Sequence, residues 1–262
     1  MLIPPQLHNI GLMKAILALS ARHLSLNSQH DSDQTCDRHD ALQYYNETLS
    51  YLSTAMQYDT YKTSLELLAT ALIVSAYEML DGSDEDWKRH LQGVFWIQRS
   101  QVIHGDSKGL KQAVWWAWLC QDVWAAYTAK RKTFTFWKPT RAYSELQPYE
   151  LASRSVYLMA QVVNCCSEEE TNPQNKDLAL RIEKIEHLTK MLDEWKQHLT
   201  VEFEPLPFVS HLSHNGDFQP IWINVPALGK SSTCTSTQLY TQIDYRCCPS
   251  TLLLRSNTPS SQ

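Results

Sequence analysis

The chain has 262 residues, 43% of them hydrophobic, with nine Trp and twelve Tyr, enough apolar side chain for one large core or a pair of small ones. Its 28 acidic against 23 basic residues leave a formal charge of -5, the wrong sign for a protein whose main task is to coat nucleic acid. Only seven glycines leave few left-handed positions for hairpins and favour long helices joined by few loops, so the expected fold class is all-α.

The periodicity predicts a single bundle of about seven helices. The first, from Ile10 to Leu26, carries Leu12, Ile16, Leu17 and Leu24 with Ala at 15, 18 and 21, and is expected to be largely buried. After a polar stretch, Asp40 to Tyr58 places Leu42, Tyr45, Leu49, Leu52 and Met56 on one stripe. Thr63 to Leu80 is apolar nearly all round, which predicts a central helix, and Asp81-Gly82 supplies its left-handed stop. Ser83 to Asp86 restarts the chain with acids at a helix N-terminus, and the next helix runs from Trp87 to Val102. Ser107 is the expected cap of the following helix, which holds Trp115, Trp116, Trp118 and Trp124. On it, Trp116, Cys120 and Trp124 form one row and Trp115, Leu119 and Val123 the adjacent one, so packing on several sides is expected.

Beyond Pro139 a helix is predicted from Tyr149 to Cys166, and after the loop SEEETNPQN another from Asp177 to Leu199. The latter turns Leu178, Ile182, Ile185, Leu188, Leu192, Trp195 and Leu199 inward, with Asp177 and Arg181, and Glu186 and Lys190, paired outside. Pro205, Pro207, Pro220 and Pro226 then predict an extended segment wrapping the bundle.

No apolar run approaches the roughly 20 residues that span a bilayer, so no membrane helix is expected. The N-terminus does not read as a signal peptide, and the seven cysteines show no C-x-x-C spacing, which predicts reduced intracellular thiols. There is no H-E-x-x-H, glycine-rich phosphate loop, G-x-S-x-G elbow or EF-hand. No catalytic residue, metal or cofactor is therefore expected, and the chain is read as a non-enzyme.

Several local features carry competing readings. In KRKTFTFWKPTR, Lys130, Arg131, Lys132, Lys138 and Arg141 interleave with Phe134, Phe136 and Trp137, a pattern that suits single-stranded nucleic acid or a nuclear localisation patch. Against this stands a helix C-terminus whose cations favour the dipole and whose rings dock on the bundle, the reading preferred here. Arg99 and Asp122 are expected as a buried ion pair, with a ligand-contacting pair as the alternative, and Glu78 is matched to His90. Together Arg99, Asp122, Trp124, Arg131, Lys132 and Trp137 make a candidate groove for a ligand or partner. A ring-lined interior around Trp116, Trp124 and Trp137 would be its pocket. Cys165 and Cys166 are read as small buried residues at a helix end.

The run LLATALIVSAYEMLDG, then DWKRHLQGVFWIQRSQ, then GLKQAVWWAWLCQDVWAA with KTFTFWKP, resembles the regulatory domain of fungal-specific transcription factors of the zinc binuclear cluster class. ELASRSVYLMAQVVN, RIEKIEHLTKMLDEWKQHL and FQPIWINVPA continue the resemblance in order to about Ala227. It implies an all-helical, non-enzymatic effector domain acting in the nucleus, with transcription machinery or regulatory proteins as partners and a small-molecule effector. The alternative is a helical small-molecule-binding or scaffold protein. The six-cysteine cluster that would bind two zinc ions and enter the major groove is not in this sequence, so the chain reads as a fragment that does not bind DNA specifically by itself. The expected domain is 1–228. Residues 229–262, with seven Ser and six Thr in 34 residues, read as a disordered tail from a translated intron or frameshift.

Overall fold

Small residues decide how the first helices meet. In the computed structural model, which describes residues 9–27, 38–82, 86–171 and 178–204, α1 (Ile10–Asn27) and α2 (Arg38–Ala55) pack along a seam of Ala15, Ala18, Ala21, Ala41, Thr48 and Ala55, all buried. Gly11 belongs to it too: a Cβ there would sit 2.2 Å from the Tyr51 ring, so only glycine admits this approach. The expectation that the large aliphatics of α1 face inward holds for Leu12, which is buried, and is corrected for the others. Ile16, Leu17 and Leu24 are exposed, as is Leu42 of α2, because the close seam is filled by alanine instead.

A single turn, α3 (Asp59–Lys62), leads to α4 (Leu65–Asp81), capped by Ser64, whose Oγ accepts the Leu67 N–H at 3.1 Å. It ends as the sequence predicts, with Gly82 left-handed at φ 74°. α4 packs on α1 and on α5 (Asp86–Ser100), burying Leu67, Leu68, Leu72, Val74 and Tyr77. Val102 takes a left-handed φ of 54° after α5, and the Ile103 N–H returns to the Gln98 carbonyl at 3.0 Å, a Schellman closure carried by a β-branched residue.

The tryptophan helix α6 (Leu110–Thr128) starts later than expected. Ser107 accepts from the His104 N–H at 3.1 Å and closes the preceding turn instead of capping the helix. Val114 and Trp118, with the row Trp115, Leu119 and Val123, are buried. The other row turns outward: Trp116 is half-buried, Cys120 exposed and Trp124 55% exposed. Rows one residue apart are about 100° apart on the helix, so packing one leaves the other at the rim.

Beyond α6, α7 (Pro148–Cys165) packs on α9 (Leu178–Gln197), with the single turn α8 (Glu168–Thr171) between them. Leu151, Leu158, Val162, Leu188, Leu192, Trp195 and Phe203 form their shared core, and Trp195 Nε1 donates to the Leu151 carbonyl at 2.9 Å. Ile182, expected inside, is exposed. The seven long helices match the seven predicted, and among the described residues there is no strand; the fold is all-α. The chain divides into two compact units, 1–122 and 123–262, with the division inside α6. The acids of the predicted restart at 83–85, the proline segment and the tail from Gly229 fall outside the described residues.

One defect in the first unit predicts a stabilising change. Gln98 is 2% exposed, yet neither its Nε2 nor its Oε1 has a hydrogen-bond partner among the described residues. A buried, unsatisfied amide costs about 1–3 kcal/mol, so Gln98→Met should shift the urea midpoint upward, and a downward shift would show that the amide is satisfied.

Candidate functional site

The sequence-derived groove residues divide between the two units. Arg99 and Asp122 lie in the first. Asp122 is fully buried, as expected, but Arg99 is exposed, its guanidinium 5.6 Å from the Trp96 ring centroid; a cation on a long stem at a helix end reaches water more cheaply than it is buried. The Glu78 expectation holds. His90 Nδ1 lies 2.8 Å from Glu78 Oε2 and the Tyr45 hydroxyl donates to Oε1 at 2.6 Å, joining α2, α4 and α5.

The remaining four belong to the second unit. Trp124 is exposed, which removes it from any ring-lined interior, and Trp116 is only half-buried. Arg131 lies over the Phe134 ring at 4.1 Å and donates to the Lys132 carbonyl at 2.7 Å. Trp137 meets Tyr157 edge-on at 5.6 Å, with the buried Arg154 guanidinium 5.2 Å from its ring centroid. Lys132 bonds Glu170 at 2.8 Å and Glu169 at 3.1 Å.

Most cations of the basic-aromatic segment are thus matched from within. Lys130 faces Glu168 at 3.7 Å, and Arg141 grips Glu150 with both nitrogens at 2.5 and 3.2 Å. Glu150 in turn accepts the Gln147 N–H at 2.9 Å and helps start α7. The backbone is pinned too: Thr133 N–H donates to Asn164 Oδ1 at 2.7 Å, and Glu168 N–H to the Lys130 carbonyl at 2.8 Å. Cations already held by carboxylates and rings offer little to a phosphate backbone.

Beside this segment the second unit opens a cleft of about 690 Å³. Its cationic lining is Lys132, Lys138, Arg141 and Lys184, its acids Glu170 and Glu194, and its body Tyr143, Tyr157, Leu188 and Met191. Of the six groove residues expected from sequence, Lys132 lines it. The sequence reading missed Glu170, placed in a polar loop, and Lys184, on a helix face taken as solvated. Lys132 and Lys184 hold the Glu170 carboxyl below the usual carboxylate range, and Glu170 in turn raises Lys132. Cys165, a free thiol on the cleft wall, is pushed up by burial.

Burial pushes Tyr143 from the ordinary 10.0 up to about 12, so its phenol stays a neutral hydrogen-bonding group. A folded value above the unfolded one stabilises fully below pH 10.0 and loses that contribution as pH rises toward about 12. Ultraviolet titration should therefore show a late phenol step that Tyr143→Phe removes, together with part of the alkaline loss of stability.

Among the described residues no group of His, Cys, Asp and Glu is placed to hold a metal, and no helix is long and apolar enough to cross a membrane. The described residues are all-helical, and the second unit carries a charged cleft of ligand size. The sequence matches the model of the fungal specific transcription factor domain over residues 1–258, and the chain belongs to that family. No curated protein and no solved structure gives a significant match. Membership gives the chain a role in transcription regulation.

Proposed function

We propose that this chain is the regulatory effector region of a zinc-cluster transcription factor, acting in the nucleus through protein partners and without catalysing a reaction. The observation that carries this reading is the family match over residues 1–258. It is supported by a basic segment in which Lys130, Arg131, Lys132 and Arg141 meet this chain's own carboxylates and rings, an arrangement that suits specific DNA contact by a separate module. Under this reading 1–228 is the regulatory domain, and transcription machinery or regulatory proteins are its partners.

The test is a reporter experiment. The chain, fused to an unrelated DNA-binding module, should change transcription from that module's site severalfold in either direction, and the fusion should gather in the nucleus. A fusion that is folded, nuclear and bound at the site yet leaves transcription unchanged would refute the reading.

A further inference from the structure

The cleft of the second unit is already occupied by a carboxylate, and that carboxylate belongs to the chain. Glu170 places Oε1 2.8 Å from Lys132 Nζ and Oε2 2.8 Å from Lys184 Nζ, each oxygen on its own ammonium. Its side chain is 20% exposed, so the pair of lysines grips it where water is partly excluded. Arg181 lines a small adjoining recess that shares Cys165, Glu170 and Lys184 with the cleft. Together the two spaces present five cations, Lys132, Lys138, Arg141, Arg181 and Lys184, against the two acids Glu170 and Glu194. Arg141 is already matched by Glu150 and Lys132 also meets Glu169, so the charge this concavity offers a ligand is centred on the two lysines that hold Glu170, where field lines are focused.

The Glu170 carboxylate is held by the two lysines, while the turn that carries it is also tied down through Glu168 and Glu169. Glu170 rides on α8, a single turn of four residues, and one helical turn has no stability of its own. Its ion pairs are with lysines that are themselves 36% and 43% exposed, and pairs of that kind are worth little net. A ligand carboxylate gains the same two ammonium groups. It adds what Glu170 cannot: contact of an apolar or ring-shaped body with Tyr143, Tyr157, Leu188 and Met191 along the wall.

We propose that this cleft binds a small organic acid whose carboxylate replaces that of Glu170 between Lys132 and Lys184. The displaced Glu170 side chain is the change by which binding is communicated. The inference rests on the regulatory reading only for what the displacement signals; the binding itself does not depend on it.

Benzoate is the probe, with benzamide as its uncharged twin, and binding to the whole chain is followed by amide chemical shifts. Benzoate should perturb the cleft and benzamide should not. Glu170→Gln removes the internal competitor and should tighten benzoate by about tenfold, whereas Lys184→Gln should weaken it by about as much. Lys184→Arg, which keeps the charge, should retain binding, and circular dichroism identifies any variant that fails to fold. Equal response to benzoate and benzamide, weaker binding by a folded Glu170→Gln, or undiminished binding by Lys184→Gln would overturn the proposal. Benzoate binding lost while the reporter still responds counts against the cleft alone. A silent reporter with intact binding counts against the regulatory reading alone.

Discussion

Replacing Trp118 with Ala should cost about 3–5 kcal/mol, through lost transfer energy and the cavity left behind. The side chain is 1% exposed, stacks on Phe95 at 5.6 Å and donates its Nε1 proton to the Leu91 carbonyl at 3.1 Å. Such a loss approaches the whole stability of many domains, about 5–15 kcal/mol. The contrast lies two turns further along the same helix, where Trp124 is 55% exposed. Trp124→Ala should stay within about 1 kcal/mol, because a half-solvated ring has less transfer energy to lose. Urea unfolding of the two variants measures the difference, and equal midpoints would show that Trp118 and Trp124 do not differ in burial.

Glu78→Ala should be the second large loss, about 3 kcal/mol, since removing a buried acceptor leaves the Tyr45 hydroxyl and the His90 ring nitrogen unmatched, at about 1–3 kcal/mol each. The carboxylate is 4% exposed and takes one contact from α2, the Tyr45 hydroxyl, and one from α5, the His90 ring. Glu78→Gln keeps the shape and one acceptor, so it should recover much of the loss. A double-mutant cycle of Glu78→Ala with His90→Ala should give a coupling of about 1–2 kcal/mol, and a coupling near zero would show that the two side chains are neighbours without being partners.

The helices were legible because most of them carry their punctuation in the sequence. Gly82 ends α4 where the Asp-Gly pair predicts, and Leu188, Leu192 and Trp195 face inward from α9 at helical spacing. Orientation failed where composition gave periodicity nothing to choose between. α6 is apolar on nearly every face, so its two rows were equivalent on paper and only tertiary packing separates Trp115 from Trp124. On α1 the rule that large aliphatics go inside lost to close approach, which Gly11 and the alanines permit and larger residues would prevent.

Most of the candidate site was illegible for a different reason. Glu170 and Lys184 stand 14 positions apart, in a stretch whose charges read as ordinary solvated surface. Lys132 is farther away still. No local pattern announces that α8, α9 and the segment after α6 converge, because ion pairs across elements leave no spacing in the chain. The partial signal was Lys132, found through its aromatic neighbours and not through its carboxylate partners.

The pinning of Lys130 to Thr133 bears on how other proteins can handle this stretch. Trypsin would find three consecutive cleavage sites at Lys130, Arg131 and Lys132, but a protease needs the chain drawn out through its active-site groove. Here the backbone is fastened at Lys130 and Thr133 and the side chains are engaged. Cutting therefore waits on local opening and should be slow relative to the unfolded chain. An import receptor that reads basic residues as an extended peptide meets the same obstacle. While folded, this segment is a poor address label for such a receptor.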